Sequence, residues 1–342
     1  MRAAVAALAL VAAAPALPQD DAGTDPAARP AVIAPLASRS LLLDLARAGD
    51  RIVAVGERGH VLFSADAGAS WTQVQVPGSA NLTAVSFASA EHGCAVGHAG
   101  LILCTWDGGA QWTRVRFTPE DGQPLLDAWL ADAERGVAVG AYGRLLVTAD
   151  GGRSWEEVPF EPAPLPGAEL PAPAADELDA GVDLGLEFHL NTLAAGPGGA
   201  LYLGAEAGRL FRSDDVGRTW RELPSPYEGS FYGLLPLDGA TLLAFGLRGH
   251  LFRSEDGGTS WQPLEAGTVA MLTAGARLDD TTVVLAGMTG VLLVSRDGGR
   301  SFTMTQQDDR KAIAAVLAAG AGALIVAGEN GVRRLPLPGA AP

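Results

Sequence analysis

The chain has 342 residues, among them 44 glycines and 22 prolines, and 48% of its residues are hydrophobic. Its formal net charge is −15 at pH 7, which argues against nucleic-acid binding, because phosphate recognition requires clustered Lys and Arg. Two cysteines are too few for a structural zinc site. The length suits either two ordinary domains or one domain built from repeats.

Residues 1–16 have the pattern of a secretory signal peptide. Arg2 precedes an apolar run of Ala, Leu and Val, and residues 14–16 read A-P-A, a small-residue cleavage site. The apolar run is short for a membrane span, which favours export, and an uncleaved membrane anchor is the alternative. We therefore expect a periplasmic protein in which residues 17–30, polar, acidic and proline-containing, form a flexible linker.

An octet of the form S/T-x-D-x-G-x-x-W/F recurs along the chain. Its aspartates are Asp66, Asp107, Asp150, Asp215, Asp256 and Asp297, separated by 41, 43, 65, 41 and 41 residues. The hydroxyl and carboxylate can accept backbone N–H bonds, the glycine permits a positive φ, and the aromatic ring covers the turn. We interpret these Asp-box octets as structural turns, and we expect no metal or cofactor at their aspartates.

A period near 41 residues is typical of a β-propeller with one four-stranded sheet per repeat. Each repeat also contains a G-x-x-G-like turn between its second and third strands, and a seventh repeat ends near residue 335 after three strands. Residues 31–36 have the length of the missing strand. We predict an all-β, seven-bladed propeller over residues 31–337, closed by this N-terminal strand, with a tail at 338–342. Six blades or an open array are the alternatives.

The longest interval between octets contains an insertion at residues 161–186, rich in Pro, Ala and acidic residues. It links blades 3 and 4 on the face that carries the G-x-x-G turns. We interpret it as an insertion without a role of its own, and a flap over that face is the alternative.

Cys94 and Cys104 flank the turn of the second repeat and fall nearly opposite each other on adjacent strands. In an oxidising compartment a disulfide between them is expected, and two buried free thiols are the alternative.

These features make the chain resemble the photosystem II stability/assembly factor family of β-propellers. The G-x-x-G turns and the octets carry the resemblance over about residues 31–335. It implies an extracytoplasmic, non-catalytic protein, because members in oxygenic phototrophs are assembly chaperones that bind a new membrane subunit through a basic patch. The acidic charge and scattered arginines differ from that photosynthetic pattern. Relatives in other bacteria are in some cases encoded beside RND-type export pumps, so such an exporter is the suggested partner complex.

We expect the turn tips to surround one mouth of the central channel and to form a polar surface for a peptide or loop of a membrane protein. Arg58, Tyr142 and Arg248 are its expected centre. The full set of candidate residues is Glu57, Arg58, His98, Tyr142, Arg144, Glu206, Arg209, Arg248, Glu329 and Asn330. We expect a monomer that is at most peripheral to the membrane.

The alternative function is an Asp-box glycoside hydrolase of the sialidase type. Such an enzyme needs three arginines around a carboxylate, a Tyr nucleophile paired with Glu, and an acid/base residue. None of the chain's four tyrosines lies in a recognisable catalytic pattern, and the sequence favours a non-enzymatic role.

Overall fold

The structure, a computed structural model, describes residues 25–166, 188–320 and 322–339. In these ranges the strands form seven antiparallel sheets. The first strand of each sheet packs beside the first strand of the next, and the first strand of the last sheet packs beside that of the first, which closes the ring. The predicted seven-bladed β-propeller is therefore confirmed.

The strands of the first four blades follow the repeats. Blade 1 comprises β1 (Leu42–Ala48), β2 (Arg51–Gly56), β3 (Val61–Ser64) and β4 (Thr72–Val74). Blade 2 comprises β5 (Leu82–Phe87), β6 (Gly93–Gly97), β7 (Ile102–Thr105) and β8 (Thr113–Arg116). Blade 3 comprises β9 (Leu125–Leu130), β10 (Gly136–Gly140), β11 (Leu145–Thr148) and β12 (Glu156–Glu157). Blade 4 comprises β13 (Leu190–Ala195), β14 (Leu201–Ala205), β15 (Leu210–Ser213) and β16 (Arg221–Leu223).

The remaining blades keep this order, except that the last sheet has three strands. Blade 5 comprises β17 (Phe231–Pro236), β18 (Leu242–Gly246), β19 (Leu251–Ser254) and β20 (Gln262–Leu264). Blade 6 comprises β21 (Leu272–Arg277), β22 (Val283–Gly287), β23 (Val291–Ser295) and β24 (Thr303–Gln306). Blade 7 comprises β25 (Ile313–Ala318), β26 (Ala323–Gly328) and β27 (Gly331–Pro336).

Helical structure in the described ranges is limited to single 3₁₀ turns. Five of them connect the second and third strands of a blade: Glu57–Gly59, His98–Gly100, Ala141–Gly143, Leu247–Gly249 and Met288–Gly290. The others are Pro26–Ala28, Ala37–Arg39, Pro119–Asp121 and Pro197–Gly199. No helix in these ranges is long and apolar enough to cross a bilayer.

The Asp-box octets join each blade to the preceding one. In the octet of blade 5, the Ser254 hydroxyl donates to Asp256 Oδ1 over 2.8 Å and accepts from Gly258 N over 2.9 Å. The glycine two residues after each aspartate has a positive φ, between +77° and +88°. A Cβ at one of these glycines, Gly217, would lie 2.4 Å from Val137 of blade 3. The octet is thus both a turn and a contact between sheets.

Cys94 and Cys104 are directly paired across β6 and β7 and form a disulfide. Both are fully buried, and the octet of blade 3 packs on them through Gly152, whose added Cβ would lie 2.7 Å from the Cys94 sulfur.

Residues 31–36 do not form the expected closing strand; this expectation was wrong. They lie along the outer edge of blade 1, where Ala31 N donates to Val76 O over 2.9 Å. The Gln73 side-chain oxygen accepts from Ala34 N over 2.7 Å, and its amide donates to Val32 O over 3.0 Å. Prolines at positions 30 and 35 remove two backbone donors from a ladder, while Gln73 satisfies the backbone groups in between.

Within the part of the chain that the structure describes, the ring closes through side-chain packing. Leu42 and Leu45 of blade 1 share an apolar cluster with Ile325 and Val332 of blade 7. The turn Ala37–Arg39 packs beside the start of β27.

Other expected segments differ or lie outside the described residues. Residues 25–30, expected to be flexible, contact blades 1 and 2: Ser79 N donates to Ala27 O and Arg114 to Ala28 O, both over 2.9 Å. The insertion begins against the edge of blade 4, where Ala163 N donates to Trp220 O over 2.8 Å. The signal peptide at 1–16, residues 17–24 of the linker and most of the insertion lie outside the described residues.

Candidate functional site

The turns between second and third strands lie on one face of the propeller, here called the tip face, and the octets lie on the opposite face, the octet face. In six turns the second residue has a left-handed backbone although it is not glycine. These residues are Arg58, Ala99, Tyr142, Ala207, Arg248 and Thr289, with φ between +52° and +57°. The glycine that follows each of them is buried. The left-handed residue is therefore the point of the turn at which a side chain projects.

Three of these projecting side chains are large. Arg58, Tyr142 and Arg248 are exposed, and Tyr142 retains 56% of its accessible surface. Within the described ranges the guanidinium groups of Arg58 and Arg248 form no ion pair or hydrogen bond, whereas the Arg58 backbone N–H donates to Asn81 Oδ1 over 3.0 Å. The Tyr142 ring packs edge-on against His189 at 4.8 Å between centroids. These are the expected centre residues, and the guanidinium groups of the two arginines have no partner among the described residues.

The predicted glutamates have an intramolecular role. Glu57, Glu206 and Glu329 accept from the backbone N–H groups of Leu41, His189 and Ala312 over 3.3, 3.0 and 3.2 Å. Each of these N–H groups lies just before the first strand of the same blade. The carboxylates therefore fix the entry into the inner strands.

Arg144 is not available for binding. Its side chain is 2% exposed and donates to Asp121 over 2.6 Å, to Glu157 over 2.9 Å and to Gln123 O over 3.1 Å. Hydrogen bonding by this guanidinium holds the pKa of Asp121 below its usual value. The Arg144 guanidinium therefore connects the link after blade 2 to strand β12 of blade 3 by hydrogen bonds.

The three remaining candidates differ in whether their side chains are free to contact a partner. They are Arg209, His98 and Asn330. Arg209 pairs with Glu222 over 2.9 Å and lies over the Phe188 ring at 4.9 Å, so its guanidinium already has intramolecular partners. Asn330 donates to Asp309 over 3.0 Å. The His98 side chain is exposed on the tip face.

The tips do not line the central channel itself. The central channel encloses about 370 Å³, and its lining residues come from the first strands of the blades together with Phe245, with no tip residue among them. The tips lie further from the axis because each connects the second and third strands of a blade. The tip side chains therefore lie further from the channel axis than the residues that line the channel.

Two channel carboxylates were missed by sequence reasoning. Asp44 accepts from Leu45 N in its own blade and from Val85 N in blade 2, both over 2.8 Å. Asp127 likewise accepts from Ala128 N and from Leu193 N of blade 4, both over 2.7 Å. Each aspartate follows two leucines inside an apolar strand, which is the sequence signal that could have identified it.

Burial sets the protonation of this pair. It raises the pKa of Asp44 to about 7, with the negative charge of Asp127 adding to the effect. Burial also raises the pKa of Asp127 to about 6. Among the described residues, no group of three or more His, Cys, Asp or Glu could hold a metal ion. Each of the two carboxylates therefore connects the first strand of its own blade to the first strand of the next blade by hydrogen bonds.

Three residues that bear on the sialidase alternative make other contacts in the described ranges. Arg333 lies on the outer strand of blade 7 and pairs with Asp309 over 2.8 Å. Tyr202 is buried beneath Arg212, and Tyr227 stacks near His250 at 4.1 Å between centroids. Neither tyrosine has a Glu partner in these contacts.

A sequence model of the family described as photosynthesis system II assembly factor YCF48 matches residues 63–183. No curated protein matches the chain significantly. The structure described as YCF48 bound to D1 peptide is similar with a TM-score of 0.67 and 16% identity, covering 87% of this chain and 94% of that one. YCF48 from Cyanidioschyzon merolae gives a TM-score of 0.65 and 18% identity, covering 89% and 97%.

The WD40 propeller domain of Doa1 is also similar, with a TM-score of 0.63, 12% identity and coverage of 90% and 95%. At these identities the structural likeness shows the fold. Together with the family match, it confirms the resemblance to photosystem II assembly-factor-like propellers that the repeats predicted.

Proposed function

We propose that this chain, a propeller of the photosystem II assembly-factor type, is a periplasmic, non-catalytic binding factor. It recognises an extracytoplasmic peptide or loop of a membrane protein complex, and an RND-type exporter is the partner complex that we propose. The tip face is the recognition surface, with Arg58, Tyr142 and Arg248 as its contacts.

The observation that carries this proposal is the backbone conformation of the tips. A side chain with a Cβ in the left-handed region costs about 1–2 kcal/mol relative to glycine. Arg58 and Arg248 adopt this conformation without a compensating side-chain contact among the described residues. The turn imposes the same conformation on Ala99 and Ala207, so fold stability does not require a large side chain at these points.

The two unpaired arginines of the tip face suit an acidic or carboxylate-bearing segment. The predicted glutamates are occupied by backbone N–H groups, whereas two arginines project freely. Tyr142 adds an aromatic surface of the kind enriched at binding hot spots. One similar structure is described as YCF48 bound to D1 peptide, and this supports peptide recognition by a propeller of this type.

Crosslinking and capture from membranes tests the proposal. We expect the triple variant Arg58→Ala, Tyr142→Ala, Arg248→Ala to lose at least about tenfold in partner capture, because it removes both free cations and the aromatic contact. Its melting temperature should stay within about 2 °C of the parent, since the three side chains make few internal contacts.

The matched control is Arg218→Ala, an exposed arginine in the octet of blade 4 on the octet face. It should capture the partner as the parent does. Full capture by the triple variant, or an equal loss in the control, would contradict the assignment of the tip face.

A non-catalytic role predicts no turnover of sialyl or other glycosyl substrates. The assay needs the purified full-length protein and a range of chromogenic glycosides. Turnover that survives repurification would refute the proposal and restore the glycoside hydrolase alternative.

A further inference from the structure

The outer edge of blade 7 is open in the described part of the chain. β27 is the last strand of a three-stranded sheet, while each of the other six sheets has a fourth strand at this place. Leu337 N, just after β27, donates to Gly322 O over 2.8 Å. Because bonding residues alternate along an antiparallel pair, the backbone groups of Val332 and Arg334 point away from β26. Those groups form no hydrogen bond with any described residue.

A groove of about 680 Å³ lies beside this edge, between β27 and the octet of blade 1. Trp71 and Val332 line it and belong to the apolar cluster that joins blades 7 and 1. The segment that enters the groove at Ser38 carries exposed apolar side chains just before it, with Ile33 at 53% and Leu36 at 61% exposure. The groove therefore combines an unpaired backbone edge with an apolar surface.

The charge of the groove is opposite to that of the whole chain. Arg39 and Arg334 line it, and neither forms an ion pair in the ranges that the structure describes. Arg334 makes one long hydrogen bond, to Ala319 O over 3.4 Å. In a chain with a net charge of −15, this local positive charge favours an acidic ligand.

We propose that β27 accepts an extended acidic segment of a partner protein as the fourth strand of blade 7. Main-chain bonds to Val332 and Arg334 supply affinity, while Trp71, Arg39 and Arg334 select alternating apolar and acidic side chains. This second contact does not depend on the tip face being the recognition surface.

The probe is a labelled eight-residue peptide of alternating valine and glutamate, added to the full-length protein and followed by NMR amide exchange. The amides of Val332 and Arg334 should exchange quickly in the free protein, whereas those of Arg333 and Leu335, bonded to β26, should be slow. The peptide should slow exchange at Val332 and Arg334 by at least about tenfold. The same peptide with N-methylated backbone amides should not.

Charge selection is tested with two variants. In Arg39→Glu with Arg334→Glu, the valine-glutamate peptide should no longer slow amide exchange at positions 332 and 334 and a valine-lysine peptide should slow it, while Arg218→Glu should behave as the parent. The triple tip variant should also bind the peptide normally, which separates this site from the proposed function.

Several results would overturn the proposal. Peptide binding without protection of Val332 and Arg334, equal binding of both peptides by the parent, or no binding would each do so. Protection in the free protein that disappears when the residues before Asp25 are removed would identify the chain's own segment as the occupant. Protection that rises with protein concentration would identify a second copy.

Discussion

At the scale of single residues, the left-handed positions divide into glycines that ease a turn and larger residues that strain it. The position after the octet aspartate is glycine in four octets, where φ is also positive. In the other two it is Ala67, with φ of 55°, and Val216, with φ of 62°. A β-branched residue in this region is a clear outlier.

Val216→Gly should therefore stabilise the protein by about 1 kcal/mol, because the relief of left-handed strain exceeds the added freedom of the unfolded chain. Urea denaturation followed by tryptophan fluorescence measures the change. Ala67→Gly is the matched comparison and should gain less, since alanine is not β-branched. A loss of stability in Val216→Gly would show that the valine side chain contributes packing that outweighs the strain.

The sequence identified the tip residues but did not show which of them have their side chains in internal contacts. Arg144 lies two residues after Tyr142 in the same repeat, but Asp121 of the link after blade 2 and Glu157 of β12 bury its side chain, and the repeat pattern does not predict these contacts. The glutamates of the tips were predicted to contact a partner. Their hydrogen bonds to the backbone before the first strands were not predictable, because those bonds depend on three-dimensional geometry.

At the scale of elements, the octet works as one hydrogen-bonded unit. In blade 5, Ser254 bonds both Asp256 and Gly258, and Asp256 accepts from the backbone and hydroxyl of Ser260 over 2.8 and 2.6 Å. Such bonds from Ser70 lower the pKa of the equivalent Asp66 to about 2. Octets were predictable because all these partners lie within eight residues of sequence.

Ser254→Ala should cost about 1–3 kcal/mol of unfolding free energy, because it leaves the buried Gly258 N–H without an acceptor. Ser260→Ala in the same octet removes an exposed bond and should cost less than about 1 kcal/mol. Chemical denaturation of both variants tests the ranking. Equal costs would mean that the octet does not depend on its buried hydroxyl.

Sequence periodicity did not predict the position of residues 31–36, the segment expected to close the ring. Residues 31–36 have the length of a strand, but Gln73 and Gln75 of blade 1 bind their backbone groups through side-chain amides. A pattern of apolar residues carries no information about which edge offers such amides. Among the described residues the last sheet therefore has three strands, although the blade count was predicted.

At the scale of the whole molecule, the channel carboxylates link stability to pH. The pKa of Asp44 is raised to about 7 and that of Asp127 to about 6, against an ordinary value of 3.8. The folded state then binds more protons than the unfolded state between about pH 4 and 7, so stability falls as pH rises through this window. The octet aspartates have lowered pKa values and lose their contribution only in more acidic solution.

We expect the unfolding free energy to decrease by about 2 kcal/mol between pH 5.5 and 8, a figure reduced for hydration from the channel. His60 opposes this trend slightly, because burial lowers its pKa and favours the neutral ring. Asp44→Asn combined with Asp127→Asn should flatten the profile. An unchanged slope in that double variant would exclude the channel pair as its source.

The most direct test of the account is site-specific photo-crosslinking in cells. A photoreactive residue placed at Tyr142 or Arg248 samples the tip face, and one at Gln111 or Thr219 samples the octet face, where both positions are exposed. We predict adducts with an extracytoplasmic segment of a membrane protein from the tip-face positions and none from the octet face. Adducts only from the octet face, or none from either tip position in cells that contain the partner, would contradict the proposed recognition surface.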